Sequence, residues 1–269
     1  MTDPNMTDTT ADIPSPQTPL HTQNPLKRFS DRAEDYAKYR PRYPEEAIAT
    51  LLDSVADPAQ CIIADIGAGT GISSRLLADQ GATVWAIEPN AAMRESATPH
   101  LRVKFHDATA EATGLSSQSV DLVTCCQSFH WFEPIATLSE FHRILKPGGR
   151  VALMWNDRDL TDPLMVDYTN SVSNASEQGF FERRDRKSPD ALANSPLFQN
   201  FHTYTFTYKH PLSLKGLIGL ASSASYVTKT GSTYEQLIAD LQGLYQRWQQ
   251  DGCVPLSYQT YLYVAEKQG

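Results

Sequence analysis

Residues 61–77 read CIIADIGAGTGISSRLL. An apolar run carrying one acid, Asp65, passes straight into Gly67, Gly69 and Gly71, and a helical pattern follows. Glycines between a strand and a helix let main chain approach a ligand closely at the helix N-terminus. Two common ligands use such a turn. A dinucleotide site needs G-x-G-x-x-G, its last glycine letting helix and strand pack closely. Here that last position is Ile72, and the glycines instead read G-x-G-x-G. The spacing suits a ligand without a pyrophosphate, whose amino-acid and ribose parts lie on the turn. No Lys-Ser/Thr follows, which excludes a P-loop. An ordinary tight strand–helix connection would have the same glycines, so the next strand matters. ATVWAIEP (82–89) ends in Glu88, about 20 residues past the first glycine, where a carboxylate can accept from both ribose hydroxyls.

Outward from this stretch, strands and helices alternate. LKRFSDRAEDYAKYR (26–40) is helical until Pro41 and Pro44 break it. PEEAIATLLDSVA (44–56) is an amphipathic helix with Pro and acids at its start. NAAMRESA opens a helix with Asn90 as its cap, LRVKFHDA is a short strand, and SVDLVTCCQSF is a strand with a buried centre. EPIATLSEFHRILKPGG is a helix closed by Pro147-Gly148-Gly149, and RVALMWN is a fifth strand. The alternation predicts an α/β fold with a mainly parallel sheet doubly wound by helices on both faces. Its ligands would lie beyond the carboxyl ends of the strands. Past Asn156 the pattern loosens. Residues 157–200 are polar with two candidate helices, FHTYTFTYKH (201–210) is a sixth strand, and QTYLYVAEK (259–267) is the last. Two helices between them, SLKGLIGLASSASYV and TYEQLIADLQGLYQRWQQ, fall outside the alternation and are expected in a cap over the strand ends.

Composition narrows the class. The 269 residues are 41% hydrophobic and 20% charged, as in a globular domain. A net charge of −8 argues against nucleic acid as a partner, and the mixed run ERRDRK (182–187) reads as solvated surface. No apolar run reaches the roughly 18 residues of a membrane span, so no membrane partner is expected. The seven histidines and four cysteines have no zinc-ligand spacing, so no metal is expected. Cys61, Cys125 and Cys126 sit in apolar runs as buried thiols, which points to a reducing, cytoplasmic location. Residues 1–25 are rich in Pro, Thr and Asp and are read as disordered. Residues 26–269 are read as one domain with cap elements in 26–44, 157–200 and 211–250, monomeric or homodimeric.

The segments ADIGAGTG, AIEPNAAM, TAEATGL, SVDLVTCCQSFHWF and FHRILKPGGRVALMWN occur in that order. They resemble the successive motifs of class I S-adenosylmethionine-dependent methyltransferases (methyltransferase type 11). Over residues 26–156 the likeness is to the small-molecule branch that includes trans-aconitate and ubiquinone-biosynthesis methyltransferases. It implies a Rossmann-like sheet of seven strands, mostly parallel with an antiparallel last strand, and it implies S-adenosylmethionine as methyl donor and S-adenosylhomocysteine as product. It also implies roles. Asp65 orients the turn and the methionine amino group. Gly67, Ala68 and Gly69 offer backbone to the methionine end. Glu88 holds the ribose, and Pro89 and Met93 flank the adenine. Many relatives have an Asp where this chain has Thr109, which leaves the adenine amino contact to Thr109, the Ala110 amide or Asp107. Gln127 faces the methionine and the methyl. Tyr36 and Arg40 come from the N-terminal helix, Arg40 either pairing with the cofactor carboxylate or serving as a helix C-terminal cation.

Methyl transfer from a sulfonium is an in-line displacement that asks mainly for alignment and exclusion of water. The resemblance favours O- or C-methylation of a small-molecule acceptor. A carboxylate needs no general base, whereas a phenol, alcohol or carbon acid does. The candidate is His130 in SFHWF (128–132), as base, as acceptor-binding group, or as a hydrogen-bonded part of the loop wall. Trp131 and Trp155 either line an acceptor pocket or belong to the core. The residues after strand four, Gln127-Ser128-Phe129-His130, lack the Asn/Asp-Pro-Pro-aromatic pattern of nucleobase and amide N-methylation. A cofactor-binding protein without methyl transfer, and a protein or RNA methyltransferase, are the alternatives.

Overall fold

Ile62–Ile66 (β1) is buried on both faces and lies near the middle of a seven-stranded sheet. The computed structural model describes residues 32–53, 55, 57–176 and 188–269. The expectations for residues 1–25 and for ERRDRK fall outside the described residues. Before β1 come α1 (Ala33–Tyr39) and α2 (Glu45–Leu52). Arg40 is already extended, as the following Pro41 requires, so α1 stops there. After β1 come α3 (Ile72–Asp79), β2 (Thr83–Ile87), α4 (Ala91–Glu95), β3 (Val103–His106) and β4 (Val120–Cys126). The Asn90 side chain caps α4 by accepting the Met93 amide at 3.2 Å.

Next, α5 (Pro134–Ile144) starts on Pro134 with Glu133 accepting the Ile135 and Ala136 amides. The expected stop at Pro147-Gly148-Gly149 comes sooner. The helix ends at Ile144, Leu145 pairs with Val120, and pairing resumes at Arg150 opposite Leu122 after a bulge. Pro147 disfavours helical backbone at Lys146, and Gly148 takes a left-handed φ of 74°, so the proline and glycines belong to the start of β5 (Leu145–Arg158). The chain continues through α6 (Pro163–Asn174), α7 (Asp190–Ala193), β6 (Phe198–Leu212), α8 (Leu214–Ser222), α9 (Ser232–Trp248) and β7 (Val254–Lys267).

The strand order is β3-β2-β1-β4-β5-β7-β6, with β1 to β5 parallel and β7 antiparallel to both β5 and β6. The chain leaves β1 toward β2 on one side and later returns to β4 on the other. The crevice beyond the carboxyl ends of β1 and β4 is therefore the switch point where ligands bind in such sheets.

Side-chain alternation feeds two cores. Ile63, Leu122, Ala152 and Met154 pack with α2 and α3, while Ala64, Val123, Leu153 and Trp155 pack with α5 on the other face. A third core joins α6, α8 and α9 to Leu212, Val254, Leu256 and Tyr258, where β6 and β7 run past the end of β5. This is the cap, on the carboxyl side of the parallel strands. Cys61 and Cys125 are buried free thiols and Cys126 is half-buried; burial pushes the Cys61 thiol up to about 11. No described helix is long and apolar enough to cross a membrane.

Candidate active site

Gly67, Gly69 and Gly71 all adopt left-handed backbone, with φ of 65°, 58° and 72°. The alternation folds the chain into a tight turn that only glycine enters without strain. The amides of Gly67 and Ala68 donate to the Ile87 carbonyl at 2.8 and 3.1 Å, tying the turn to the end of β2. A Cβ on Gly67 would lie 2.6 Å from Ser128 Cβ and 2.8 Å from Phe132 Cζ. Gly69 differs: a Cβ there would meet only Met93 Cε at 3.7 Å and Tyr36 Cε1 at 4.0 Å. Gly67 is thus pressed against the loop after β4. Gly69 instead lies beside Met93 and Tyr36, two of the residues expected at the cofactor, without overlap.

Asp65 is fully buried beneath the turn. One carboxylate oxygen accepts from Ser73 and Ser74 hydroxyls at 2.7 and 2.6 Å, the other from Thr124 at 2.9 Å. Burial raises its pKa, and these hydrogen bonds oppose the rise. The side chain pins the first turn of α3 and thereby the glycine turn. Glu88, also buried, accepts the Gly69 amide at 2.9 Å and the Asn90 amide at 2.8 Å. Burial raises its pKa against those two bonds. Arg94 grips the same corner, donating to the Glu88 carbonyl at 2.6 Å and pairing with Asp107 at 2.8 Å. Asp107 and Thr109 are exposed, Ala110 is buried, and Pro89 is half-buried beside Glu88.

From α1, the Arg40 guanidinium stacks 4.8 Å from the Tyr36 ring centre and donates to the Ser223 carbonyl at 3.2 Å. Its Nε is buried with no hydrogen-bond partner among the described residues. On the other flank, Gln127 holds a left-handed φ of 60° and donates from its side chain to the Asn156 carbonyl at 3.0 Å. Ser128 Oγ donates to the Ile66 carbonyl at 2.6 Å, which clamps the post-β4 loop to the end of β1. His130 and Trp131 stand on that loop with ring centres 5.2 Å apart. Trp155 is 1% exposed and packs in the core against Tyr263. Its indole N–H donates to His130 Nδ1 at 3.2 Å.

Comparison with known proteins decides the family. Residues 64–153 match the model of a methyltransferase domain. An uncharacterised methyltransferase of Mycobacterium tuberculosis is 37% identical over 223 residues, covering 78% of this chain and 85% of the relative. This chain belongs to the class I S-adenosylmethionine-dependent methyltransferases. A methyltransferase-like protein of Schizosaccharomyces pombe is 29% identical over 259 residues, 90% of this chain and 96% of the relative. A solved methyltransferase of an antibiotic biosynthesis pathway in Anabaena variabilis superposes with a TM-score of 0.58 at 25% identity, covering 81% of this chain and 95% of that one.

Within this methyltransferase the structure brings Tyr36, Gly69 and Met93 together, and Glu88 joins them through the Gly69 amide. Asp65 sits behind the turn, and Asp107 and Thr109 lie out on the rim. Trp155 lies in the core and meets the loop at His130. Three residues escaped the sequence reading. Asn156 accepts from Gln127 through its carbonyl, donates from its side chain to the Arg42 carbonyl at 3.0 Å, and accepts the Thr260 hydroxyl at 2.6 Å. Its position directly after the apolar run of β5 was the available signal. Ser128 had none. Tyr43 is buried among Cys126, Tyr36, Asp65 and Arg40, and burial drives its pKa well above the usual phenol value. Among the described residues no group of three or more His, Cys, Asp or Glu could hold a metal ion.

Proposed function

We propose that this methyltransferase binds S-adenosylmethionine on the glycine turn and transfers its methyl group to a small-molecule acceptor, by in-line displacement onto oxygen or carbon. The observation that carries the cofactor reading is the buried Glu88 carboxylate, held by the Gly69 and Asn90 amides at the end of β2. Fixed there, its remaining lone pairs suit two neighbouring hydroxyls of a ribose. The residues fit the rest of the group. Gly69 has no close neighbour, with Met93 and Tyr36 in ordinary contact range of a Cβ placed there. The Nε of Arg40, without a partner among the described residues, is a buried donor that a carboxylate would satisfy. The bound cofactor supplies an electrophilic methyl on a sulfonium. The chain's own share is alignment: Asp65 and Ile87 set the turn, Glu88 sets the ribose, and the cap with α1 excludes water.

Titration calorimetry tests this reading. S-adenosylhomocysteine is expected to bind at least tenfold more tightly than NAD. Equal or tighter binding of NAD would remove the cofactor assignment. Methylation of a small molecule, as against RNA or protein, is tested with a labelled methyl donor and a fractionated metabolite mixture.

A further inference from the structure

Trp155 has a rigid setting. It sits at the carboxyl end of β5, pairs with Tyr261 across β7, is 1% exposed, and meets Tyr263 edge to face at 5.8 Å. Its indole N–H is a donor only, and burial obliges that donor to find a partner. The partner is His130 Nδ1, at 3.2 Å. An acceptor nitrogen carries no proton, so neutral His130 bears its proton on Nε2. Protonating Nδ1 would set two N–H groups against each other and leave the indole unsatisfied. The loop offers little freedom to turn away: Ser128 binds the Ile66 carbonyl, Trp131 N–H returns to the Ser128 carbonyl at 2.9 Å, and Phe132 packs over Gly67.

We propose that Trp155 is a positioning residue that holds His130 as the Nε2–H tautomer, so that His130 donates a hydrogen bond to an acceptor that arrives already deprotonated and takes no proton from it. This rests on the methyl-transfer reading above and narrows it. Of the roles open to His130, general base is the one this pairing opposes, because Nδ1 is committed to the indole and Nε2 already carries its proton. The acceptor class is one with an anionic oxygen at neutral pH, such as a carboxylate or an acidic enol. His130 then has the same proton before and after transfer.

The test reads the tautomer directly. The full chain, labelled with 15N-histidine, is examined by long-range proton–nitrogen correlation at neutral pH, free and saturated with S-adenosylhomocysteine. His130→Gln assigns the signals by their loss. The expected spectrum has Nε2 protonated and Nδ1 bare, and Trp155→Phe mixes the tautomers. A wild-type spectrum showing Nδ1–H or the imidazolium overturns the proposal, and it decides alone if Trp155→Phe does not fold. With an acceptor in hand, His130→Ala is expected to lower kcat/KM about tenfold or more, and His130→Gln, which keeps a donor near Nε2, to recover most of that loss. Equal losses of about a hundredfold in both variants would mark a general base and overturn it. The spectrum of the free chain needs no cofactor, so its failure is distinguishable from failure to bind S-adenosylhomocysteine.

Discussion

The Glu88 carboxylate accepts the Gly69 amide at 2.9 Å, so the end of β2 and the centre of the glycine turn form one unit. A ligand held by Glu88 is therefore held against Gly69. Glu88→Ala removes the ribose acceptor and the tether of the turn together. A hydrogen bond to a charged group is worth about 1.5–3 kcal/mol, so S-adenosylhomocysteine affinity is expected to fall tenfold or more. Unchanged affinity by calorimetry would show that the carboxylate serves the turn alone.

Gly67 and Gly69 share a backbone conformation but not a neighbourhood, which separates stability from binding. Gly69→Ala meets only ordinary contacts, at 3.7 Å and beyond, so it is expected to cost only the left-handed strain of roughly 1–2 kcal/mol. Its methyl would stand beside Met93 and Tyr36, where the cofactor is expected, so ligand affinity should fall further than stability does. Gly67→Ala adds an overlap with Ser128 and Phe132, for a total of about 2–5 kcal/mol. Urea unfolding with parallel binding measurements checks the pair; equal stability losses would contradict the packing described for Gly67.

The order of strands and the glycine turn were readable because each rests on local pattern: a doubly buried strand, a glycine spacing, an acid at the next strand end. The helices α8 and α9 were readable because they break the alternation, whereas the antiparallel sense of β7 came only with the family resemblance. What lay hidden was side-chain partnership across the sheet. Nothing near Trp155 in the chain shows that its indole meets His130, 25 positions earlier, or that Asn156 joins Gln127 to Thr260. The stop of α5 was misplaced because Pro147 and two glycines read as a helix end, whereas in the fold they make the bulge that opens β5.

Glu140 offers a pH test away from the site. It accepts the Thr113 amide and hydroxyl at 2.9 and 2.6 Å and two bonds from Arg143 at 2.6 and 2.8 Å. Burial tends to raise its pKa, but the Arg143 and Thr113 bonds outweigh that and hold it below the usual value. A depressed folded pKa stabilises above the unfolded pKa, and that stability is lost as pH falls through the folded value. Glu140→Gln is expected to cost about 1–3 kcal/mol at neutral pH, with the gap from wild type closing in acid below about pH 4. A gap that is constant with pH would show that the carboxylate's charge contributes nothing.

Helix α1 is bound to the end of α8 and to the segment that follows it. Arg32 donates to the Ser222, Ala224 and Val227 carbonyls, Lys229 pairs with Asp35 at 3.0 Å, and Arg40 donates to Ser223. The Tyr39 ring lies where a Cβ on Gly219 would be, 2.1 Å from Tyr39 Cδ2. These ties join α1, which reaches Gly69 through Tyr36, to the end of α8; if the two cover a bound ligand and exclude water, they are expected to move as one unit. Ligand is expected to slow hydrogen exchange in 32–44 and 212–228 together; protection of one segment without the other would break the unit apart. Gly219→Ala, which drives α1 off α8, should weaken S-adenosylhomocysteine binding although residue 219 lies on the cap and not on the glycine turn. Arg40→Ala separates the carboxylate contact from the cover. If Arg40 Nε serves the methionine carboxylate, the variant loses roughly tenfold or more in S-adenosylhomocysteine affinity and far less in adenosine affinity, since adenosine has no carboxylate. Equal losses for the two ligands would assign Arg40 to holding Ser223 and the cover alone.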